Sequence, residues 1–229
     1  MLGDPNTFAR KYYLDGIDEI LFMDSVASLY GRNHLSEIIT EASSEIFVPF
    51  TVGGGVRSIM DVEDILRSGA DKVAINTAIL QNPKLISEVA NQYGSQCMVA
   101  SIEAKSRNNQ SWEAFSENGR EPSGKNVIEW AKTCEKLGAG EILITSIDRE
   151  GTRKGFDVNL IKAVTSSVSV PVIASGGMGR MEDFEDVVAN AEASAVAIAD
   201  FLHYERGSIE SIRDFATQRG LKVRRFEKI

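Results

Sequence analysis

The sequence is poor in the residues that build disulfide frameworks and metal centres. Its 229 residues include only two cysteines, Cys97 and Cys134, and two histidines, His34 and His203. Two cysteines cannot form a disulfide framework and lack metal-ligand spacing, so we predict that both are small buried hydrophobic residues. Two histidines cannot supply a multi-histidine metal site. We therefore expect neither a metal ion nor another cofactor, and a reducing compartment.

Long hydrophobic runs and an excess of positive charge are also missing. No apolar run approaches the ~18 residues that span a bilayer, and the N-terminal MLGDPNTFAR lacks the apolar stretch of a signal peptide. The formal charge of −8 and the pI of about 5.0 disfavour a general binder of nucleic acid or anionic membranes. Backbone amides can nevertheless bind a phosphate without net positive charge. We predict a cytoplasmic protein that binds neither nucleic acid nor membrane.

Apolar runs alternate with helix-period segments along the chain. The runs lack the alternation of a half-exposed sheet, and continuous apolar strands are typical of a parallel sheet covered on both faces. Seven strands are predicted at residues 19–23, 47–52, 72–75, 97–102, 141–145, 170–174 and 193–199. Eight helices are predicted at residues 6–14, 33–45, 58–68, 83–93, 126–137, 158–167, 181–190 and 208–219. No linker-like stretch separates these elements, which indicates a single α/β domain over residues 1–229.

An internal repeat refines this fold class. Shifting the chain by 122 residues places Val48-Pro49 on Val170-Pro171 and Gly54-Gly55 on Gly176-Gly177. Two half-barrels, at about residues 1–94 and 95–220, predict a (β/α)8 TIM barrel. The counterpart of the strand at 97–102 would fall before the first residue, so we expect the N-terminal strand to be absent from this chain. A fragment is favoured over a seven-stranded variant, because an open parallel barrel leaves two unpaired edges.

Two glycine loops occupy equivalent positions in the repeat. TVGGGVRS at 51–58 and IASGGMGR at 173–180 each join a predicted strand to a predicted helix. Glycine lets backbone N–H groups approach an anion at a helix N-terminus, where the helix dipole favours negative charge. A tight turn without a ligand is the alternative for either loop alone. Two symmetric copies at the C-terminal face of a barrel favour a substrate with a phosphate at each end.

Polar residues stand at the ends of other predicted strands. Glu103 directly follows a buried strand, Asp24 follows the first predicted strand, Asn76 and Thr77 follow the third, and the segment 145–152 ends the fifth. Each aspartate or asparagine could simply cap the next helix. Taken together, carboxylates converging on one face of a barrel indicate general acid–base chemistry on a polar substrate.

The motifs PFTVGGGVRS, GADKVAINTA, GAGEILITSIDREGT, GFD and PVIASGGMGR resemble the cyclase subunit of imidazole glycerol phosphate synthase, from histidine biosynthesis. The resemblance extends from Gly3 to the C-terminus. It implies a heterodimer with a glutaminase whose ammonia travels through the barrel. It also implies attack of that ammonia on a bis-phosphorylated formimino-aminoimidazole carboxamide ribonucleotide. The implied products are imidazole glycerol phosphate and an aminoimidazole carboxamide ribonucleotide.

The resemblance also implies roles for individual residues. Glu103 stands where the family has its second catalytic aspartate, and the first aspartate would belong to the absent strand. Asp24 matches an active-site aspartate, and Glu150 stands where an aspartate is usual. The implied substrate and phosphate contacts are Gly54, Gly55, Asn76, Thr77, Thr145, Gly151, Ser175, Gly176, Gly177 and Asp200.

Asp200 departs most from the family pattern, because the family usually has a small serine near the second phosphate. A carboxylate there repels phosphate unless it turns away or forms an ion pair, and we expect a pair with Arg180 or His203. On the opposite face, near the strand starts, the resemblance implies glutaminase docking, and a solvated charged rim is the alternative. These residues are Asp18, Glu19, Asp71, Lys72 and Glu141.

Three functions stay open. The first is the histidine-pathway cyclase, and the second is a similar ammonia-channelling paralogue for sugar amidation in surface-polysaccharide biosynthesis. The second function is favoured over random drift by the departures from the family pattern at Glu103, Glu150 and Asp200, which indicate a pocket adapted to another substrate. The third is a non-catalytic barrel fragment that binds phosphate or a partner. We further predict a β-hairpin within residues 106–123, and we interpret residues 30–32 as either a substrate contact or a surface loop.

Overall fold

The computed structural model describes residues 3–24, 35–108, 111–224 and 226. His34 and the possible substrate contact at residues 30–32 lie outside the described residues. Two compact units make up the chain: the first comprises Met1–Ala74 with Leu202–Ile229, and the second comprises Ile75–Phe201.

The first unit is built from β/α repeats. Its strands β1 (Ile20–Met23), β2 (Phe50–Gly53) and β3 (Lys72–Ile75) pair in parallel in this order, with Val52 opposite Phe22 on one side and opposite Val73 on the other. Its elements are α1 (Pro5–Leu14), β1 (Ile20–Met23), α2 (Leu35–Glu45), β2 (Phe50–Gly53), α3 (Ile59–Arg67), β3 (Lys72–Ile75) and, near the C-terminus, α10 (Ile209–Gln218).

Local sequence explains where these helices begin. Asp4 accepts a hydrogen bond from the N–H of Thr7 at 2.8 Å, and Pro5 occupies the first helical position of α1. Ser58 and Asp61 form a capping box at the start of α3. All four residues of β2 are buried, as expected for a central parallel strand.

The second unit continues the same pattern. Its parallel strands run in the order β4-β7-β8-β9, and β5 and β6 form an antiparallel hairpin on β4. After the helices α4 (Thr77–Gln81) and α5 (Lys84–Tyr93) come β4 (Met98–Arg107), β5 (Ser111–Ser116), β6 (Glu121–Asn126), α6 (Val127–Leu137), β7 (Glu141–Ser146), α7 (Val158–Thr165), β8 (Val172–Ser175), α8 (Met181–Ala189), β9 (Ala195–Ala197) and α9 (Asp200–His203).

The predicted β-hairpin is present, but its second strand runs three residues beyond the predicted segment 106–123, to Asn126. The hairpin also changes the strand that carries Glu103. β4 continues to Arg107, five residues beyond its predicted end, because its last residues pair with β5. Glu103 therefore lies within β4, opposite Phe115, and the prediction that it follows the strand was wrong. Near its base, the hairpin is anchored by the indole N–H of Trp112, which donates to Asp157 at 2.9 Å.

The remaining elements confirm most predictions. Parallel strands alternate with helices in both units as in a (β/α)8 TIM barrel, which confirms the predicted fold class. The short helices α4 and α9 were not predicted. The predicted strand at 47–52 begins instead at Phe50, and Phe47 is 77% exposed. No helix in the described part of the chain is long and apolar enough to cross a membrane.

The cysteines differ from each other more than the sequence suggested. Cys134 is buried in α6, and burial raises the pKa of its thiol to about 12. Cys97 is only half-buried, because it ends a short 3-10 turn (Ser95–Cys97), where its thiol donates to the carbonyl of Tyr93 at 3.3 Å. Within the described ranges, no cluster of three or more histidine, cysteine or acidic side chains could hold a metal ion.

Candidate active site

The first glycine loop follows β2 and leads into α3. Gly54 has a φ of +100°, and a Cβ at this residue would lie 2.1 Å from the backbone oxygen of Asp24. The N–H of Asp24 donates to the carbonyl of Gly53 at 2.9 Å. Only glycine allows two backbones to approach so closely. The loop is therefore held by main chain, while the phosphate contacts of Gly54 and Gly55 and the catalytic role of Asp24 stay predictions.

The second glycine loop follows β8 and leads into α8. Gly177 has a φ of +111°, and a Cβ there would lie 2.3 Å from the carbonyl oxygen of Gly155. The N–H of Gly155 donates to the carbonyl of Gly177 at 2.9 Å. At Gly176, the position of a Cβ lies 3.1 Å from Oε2 of Glu150. The segment after β7 thus covers this loop and brings a carboxylate beside it.

Asp200 forms an ion pair that the sequence did not predict. Its two carboxylate oxygens accept hydrogen bonds from Nε and Nη2 of Arg153, at 2.8 and 3.1 Å. The expected pair with Arg180 was wrong, and the alternative pair with His203 stays a prediction. Arg180 instead contacts Asp183 at 3.4 Å, and Nδ1 of His203 lies 2.6 Å from the hydroxyl of a tyrosine in α1.

Three predicted site residues form one row across neighbouring strands. Glu103 in β4 lies opposite Thr145 in β7, and Thr145 lies opposite Ser175 in β8. Parallel strands in register bring these side chains to the same level of the sheet. The structure therefore brings together a predicted acid–base residue and two predicted substrate contacts.

Glu103 is half-buried and held by the hairpin and by Asn76. The Asn76 amide group donates to Oε2 of Glu103 at 2.9 Å and to the carbonyl of Phe115 at 3.0 Å. Burial raises the pKa of Glu103, and the nearby Glu117 adds to this rise. Hydrogen bonds from the Gly119 N–H and from Asn76 oppose the rise without cancelling it. The net result is a carboxyl group that binds its proton more tightly than usual.

The tip of the hairpin contacts the predicted phosphate residues, and sequence reasoning missed this relation. The N–H of Glu117 donates to the hydroxyl of Thr77 at 3.0 Å. Glu117, Asn118 and Gly119 all have positive φ, which makes the tip a compact turn. The Asn-Gly dipeptide signals such a turn in the sequence, but not which residues the turn contacts. The phosphate contacts of Asn76 and Thr77 stay predictions.

Glu150 is the second candidate acid–base residue with a raised pKa. Burial of its carboxylate is the larger cause, repulsion from Asp200 is the second, and a hydrogen bond from the Gly151 N–H opposes both. The residue as a whole is exposed, which limits the effect. Carboxyl groups with raised pKa values beside a polar loop are typical of acid–base sites.

Comparison with known proteins identifies the family of this chain. The family model described as "Histidine biosynthesis protein" matches residues 1–208. The chain is 60% identical to the imidazole glycerol phosphate synthase subunit HisF of Legionella pneumophila over 184 residues, which cover 80% of this chain and 87% of the relative. It is 44% identical to the subunit of the same name from Prochlorococcus marinus (strain MIT 9515) over 228 residues, which cover 99% and 89%. The chain belongs to the histidine biosynthesis protein family. This confirms the resemblance found in the sequence.

In this family member, the predicted docking residues of the first unit have partners within the chain. The carboxylate of Glu19 accepts from the hydroxyl of Thr51 at 2.5 Å and pairs with the ammonium group of Lys72 at 2.9 Å. Asp71 accepts from the N–H of Phe50 at 2.8 Å. These contacts position the charges at the strand starts.

The two other predicted docking residues differ in their surroundings. Asp18 pairs with Arg213 at 2.7 Å and with Arg224 at 2.6 Å. Glu141 is the first residue of β7 and is half-buried. A role in binding a glutaminase stays a prediction for Asp18, Glu19, Asp71, Lys72 and Glu141.

Proposed function

We propose that this protein is the cyclase subunit of imidazole glycerol phosphate synthase. It would use ammonia from a glutaminase to convert a bis-phosphorylated formimino-aminoimidazole carboxamide ribonucleotide to imidazole glycerol phosphate, with release of an aminoimidazole carboxamide ribonucleotide and water. The observation that carries the proposal is the half-buried Glu103, with its raised pKa, in one row with Thr145 and Ser175. Membership of the histidine biosynthesis protein family supports it.

Glu103 is the proposed general acid and base. Attack by ammonia leaves a positive nitrogen that must lose a proton, and the departing amine must gain one. A carboxyl group that takes up a proton more readily than usual, as the raised pKa of Glu103 indicates, can accept the first proton and donate the second. Asn76 holds the carboxylate in place through its 2.9 Å hydrogen bond. Asp24 and Glu150 are further candidates for proton transfer.

The two glycine loops are the proposed phosphate sites. Gly54 and Gly55 would bind one phosphate, and Gly176 and Gly177 would bind the other with Ser175. Positive φ values at all four glycines turn the backbone in ways that suit an anion-binding turn. This assignment follows the resemblance and agrees with the backbone geometry of both loops.

Turnover of the formimino ribonucleotide with an ammonium salt as the nitrogen source tests this function. We expect Glu103→Gln to lower kcat by about 10²–10⁴-fold, the usual contribution of one general acid–base group. Glu103→Asp restores the family's residue and is the matched control, expected to retain most of the activity. A wild-type protein that binds phosphate but shows no turnover would contradict the cyclase assignment.

A glutaminase is the proposed partner, bound at the strand starts. Lys72→Met removes the positive charge paired with Glu19. If Lys72 contributes to docking, turnover supported by glutamine and the glutaminase falls, while turnover supported by ammonium salt is retained. Equal loss in both assays would indicate a structural role for Lys72 and not a docking role.

A second candidate function is an ammonia-channelling paralogue for sugar amidation. The Arg153–Asp200 ion pair favours it, because the pair stands beside a loop where the family usually has a serine. Growth of a histidine auxotroph lacking its own cyclase subunit separates the two functions. Growth restored by this gene and abolished by Glu103→Gln supports the cyclase, while failure to restore growth with a stable protein favours the paralogue.

A further inference from the structure

We propose that the second glycine loop recognises its phosphate with the guanidinium of Arg153, and that Asp200 is the residue that positions this guanidinium. The inference rests on the proposed role of this loop as a phosphate site. It adds a protein cation to a site otherwise built from backbone amides.

The geometry of the pair leaves one edge of the guanidinium for a ligand. Arg153 uses Nε and Nη2 to bind both oxygens of Asp200, in the two-point arrangement that fixes the plane of the group. Nη1 makes no hydrogen bond to any residue that the structure describes. The edge formed by Nη1 and Nη2 can therefore donate to two oxygens of one phosphate.

The backbone of Arg153 is fixed to the second glycine loop. A Cβ at Gly179 would lie 2.2 Å from the carbonyl oxygen of Arg153. Two residues further on, the N–H of Gly155 donates to the carbonyl of Gly177. Arg153 also has a φ of +59°, a left-handed conformation that costs about 1 kcal/mol or more in a residue with a side chain. A strained residue held against a candidate site suggests that its placement serves that site.

Charge explains why Asp200 is tolerated beside a phosphate. Alone, its carboxylate would repel the anion, as would the neighbouring Glu150. Arginine stays charged at every relevant pH, so its ion pair with Asp200 is neutral and the pair no longer repels. The raised pKa of Glu150 favours its neutral form and acts in the same direction. A serine at residue 200 could not form the two-point pair, and Arg153 would then lose its fixed orientation.

Binding of inorganic phosphate to the ligand-free protein, measured by isothermal titration calorimetry, tests the inference without turnover. Arg153→Gln removes the charge, Asp200→Ser removes the positioning residue, and Arg67→Gln is a matched control in α3. Loss of a charge-assisted contact to phosphate is expected to weaken one of two phosphate sites about tenfold in Arg153→Gln. Asp200→Ser is expected to weaken the same site less, and the double variant no more than Arg153→Gln. Arg67→Gln should leave both sites unchanged.

Three results would overturn the inference. Unchanged phosphate affinity in Arg153→Gln would show that the guanidinium does not contact the ligand. Tighter binding in Asp200→Ser would show that the carboxylate competes with phosphate. A wild-type protein without phosphate binding at the second loop would remove the site itself. Because phosphate binding and turnover are separate readouts, the expected affinities without turnover would refute the cyclase and retain the inference.

Discussion

The two glycine loops share their backbone and differ in the side chains around them. In the first unit, Asp61 accepts hydrogen bonds at 2.8 Å from the two N–H groups just before α3. In the second unit, Asp183 accepts from the two equivalent N–H groups before α8, at 2.8 and 3.0 Å. The internal repeat is therefore a repeat of hydrogen bonds as well as of sequence.

The difference lies in what packs on each loop. The first loop is in close contact with the backbone of Asp24. The second loop is in contact with the side chain of Glu150 and with the backbone of Arg153. The guanidinium of Arg153 in turn pairs with Asp200. A shared scaffold thus carries different chemistry, because main-chain geometry is set by glycines and caps while the charges come from the segment after β7 and from α9. The side-chain charge beside the proposed phosphate sites is therefore concentrated at the second loop.

The largest effects should come from filling the close backbone contacts. In Gly54→Ala and Gly177→Ala, the new Cβ would approach a carbonyl oxygen to 2.1 and 2.3 Å in a left-handed conformation. Strain and overpacking together predict a loss of about 3 kcal/mol in the free energy of unfolding for each. Gly151→Ala, with a φ of +70° and nothing within 4 Å, is the control and should lose only about 1 kcal/mol. Urea denaturation measures all three.

The same measurement tests whether the segment after β7 holds the second loop in place. If Gly177→Ala costs no more than Gly151→Ala, the segment after β7 moves away freely and does not hold the second loop. The first loop would then differ from the second in rigidity as well as in charge.

The caps should show a smaller difference between the loops. Asp61→Ala is expected to cost about 1 kcal/mol, the usual value for a lost helix cap. Asp183 is only 6% exposed, so Asp183→Ala leaves two backbone N–H groups that water reaches poorly, with an expected cost of about 2 kcal/mol. Urea denaturation of both variants measures the difference, and equal losses would show that the two caps are equivalent despite their burial.

Local patterns explain why much of the fold could be predicted. The glycine loops, the capping residues and the apolar strands are each set by neighbours within a few residues, so the sequence reveals them directly. The extension of β4 to Arg107 depends on its pairing with β5, so it could not be predicted from the residues of β4 alone. The hydrophobic pattern does not define where a strand begins. Phe47 is apolar and therefore falls within the predicted strand, although it is 77% exposed and lies before β2.

The site was harder to predict because its contacts join distant parts of the chain. Arg153 and Asp200 are 47 residues apart, and nothing in either segment marks the other as its partner. Three residues at predicted strand ends, Glu103, Thr145 and Ser175, could be placed on one level because parallel strands align their ends. The pKa of Glu103 could not be predicted, since it depends on burial beneath a hairpin tip.

The smallest effect should come from Glu150, which has no counterpart at the first loop. Its raised pKa means that the folded protein binds the proton more tightly than the unfolded chain does. The stability that the protonated Glu150 carboxyl group contributes is therefore fully present below its pKa in the unfolded chain. It is lost as the pH rises through its pKa in the folded protein. The Glu150→Gln variant does not have this loss. Its free energy of unfolding should therefore increase relative to that of the wild type as the pH rises from about 4 to 7.

Glu113→Gln on the hairpin is the control with the opposite sign. A hydrogen bond from the Gly124 N–H, with help from Arg107, lowers the pKa of Glu113. Its stabilising effect is therefore present above the unfolded pKa and is lost as the pH falls through the folded pKa, so this variant should lose stability relative to the wild type as the pH rises. Urea denaturation at several pH values measures both trends. Parallel trends in the two variants would show that folding lowers the pKa of Glu150, as it lowers that of Glu113, and would contradict burial of the Glu150 carboxylate beside the second loop.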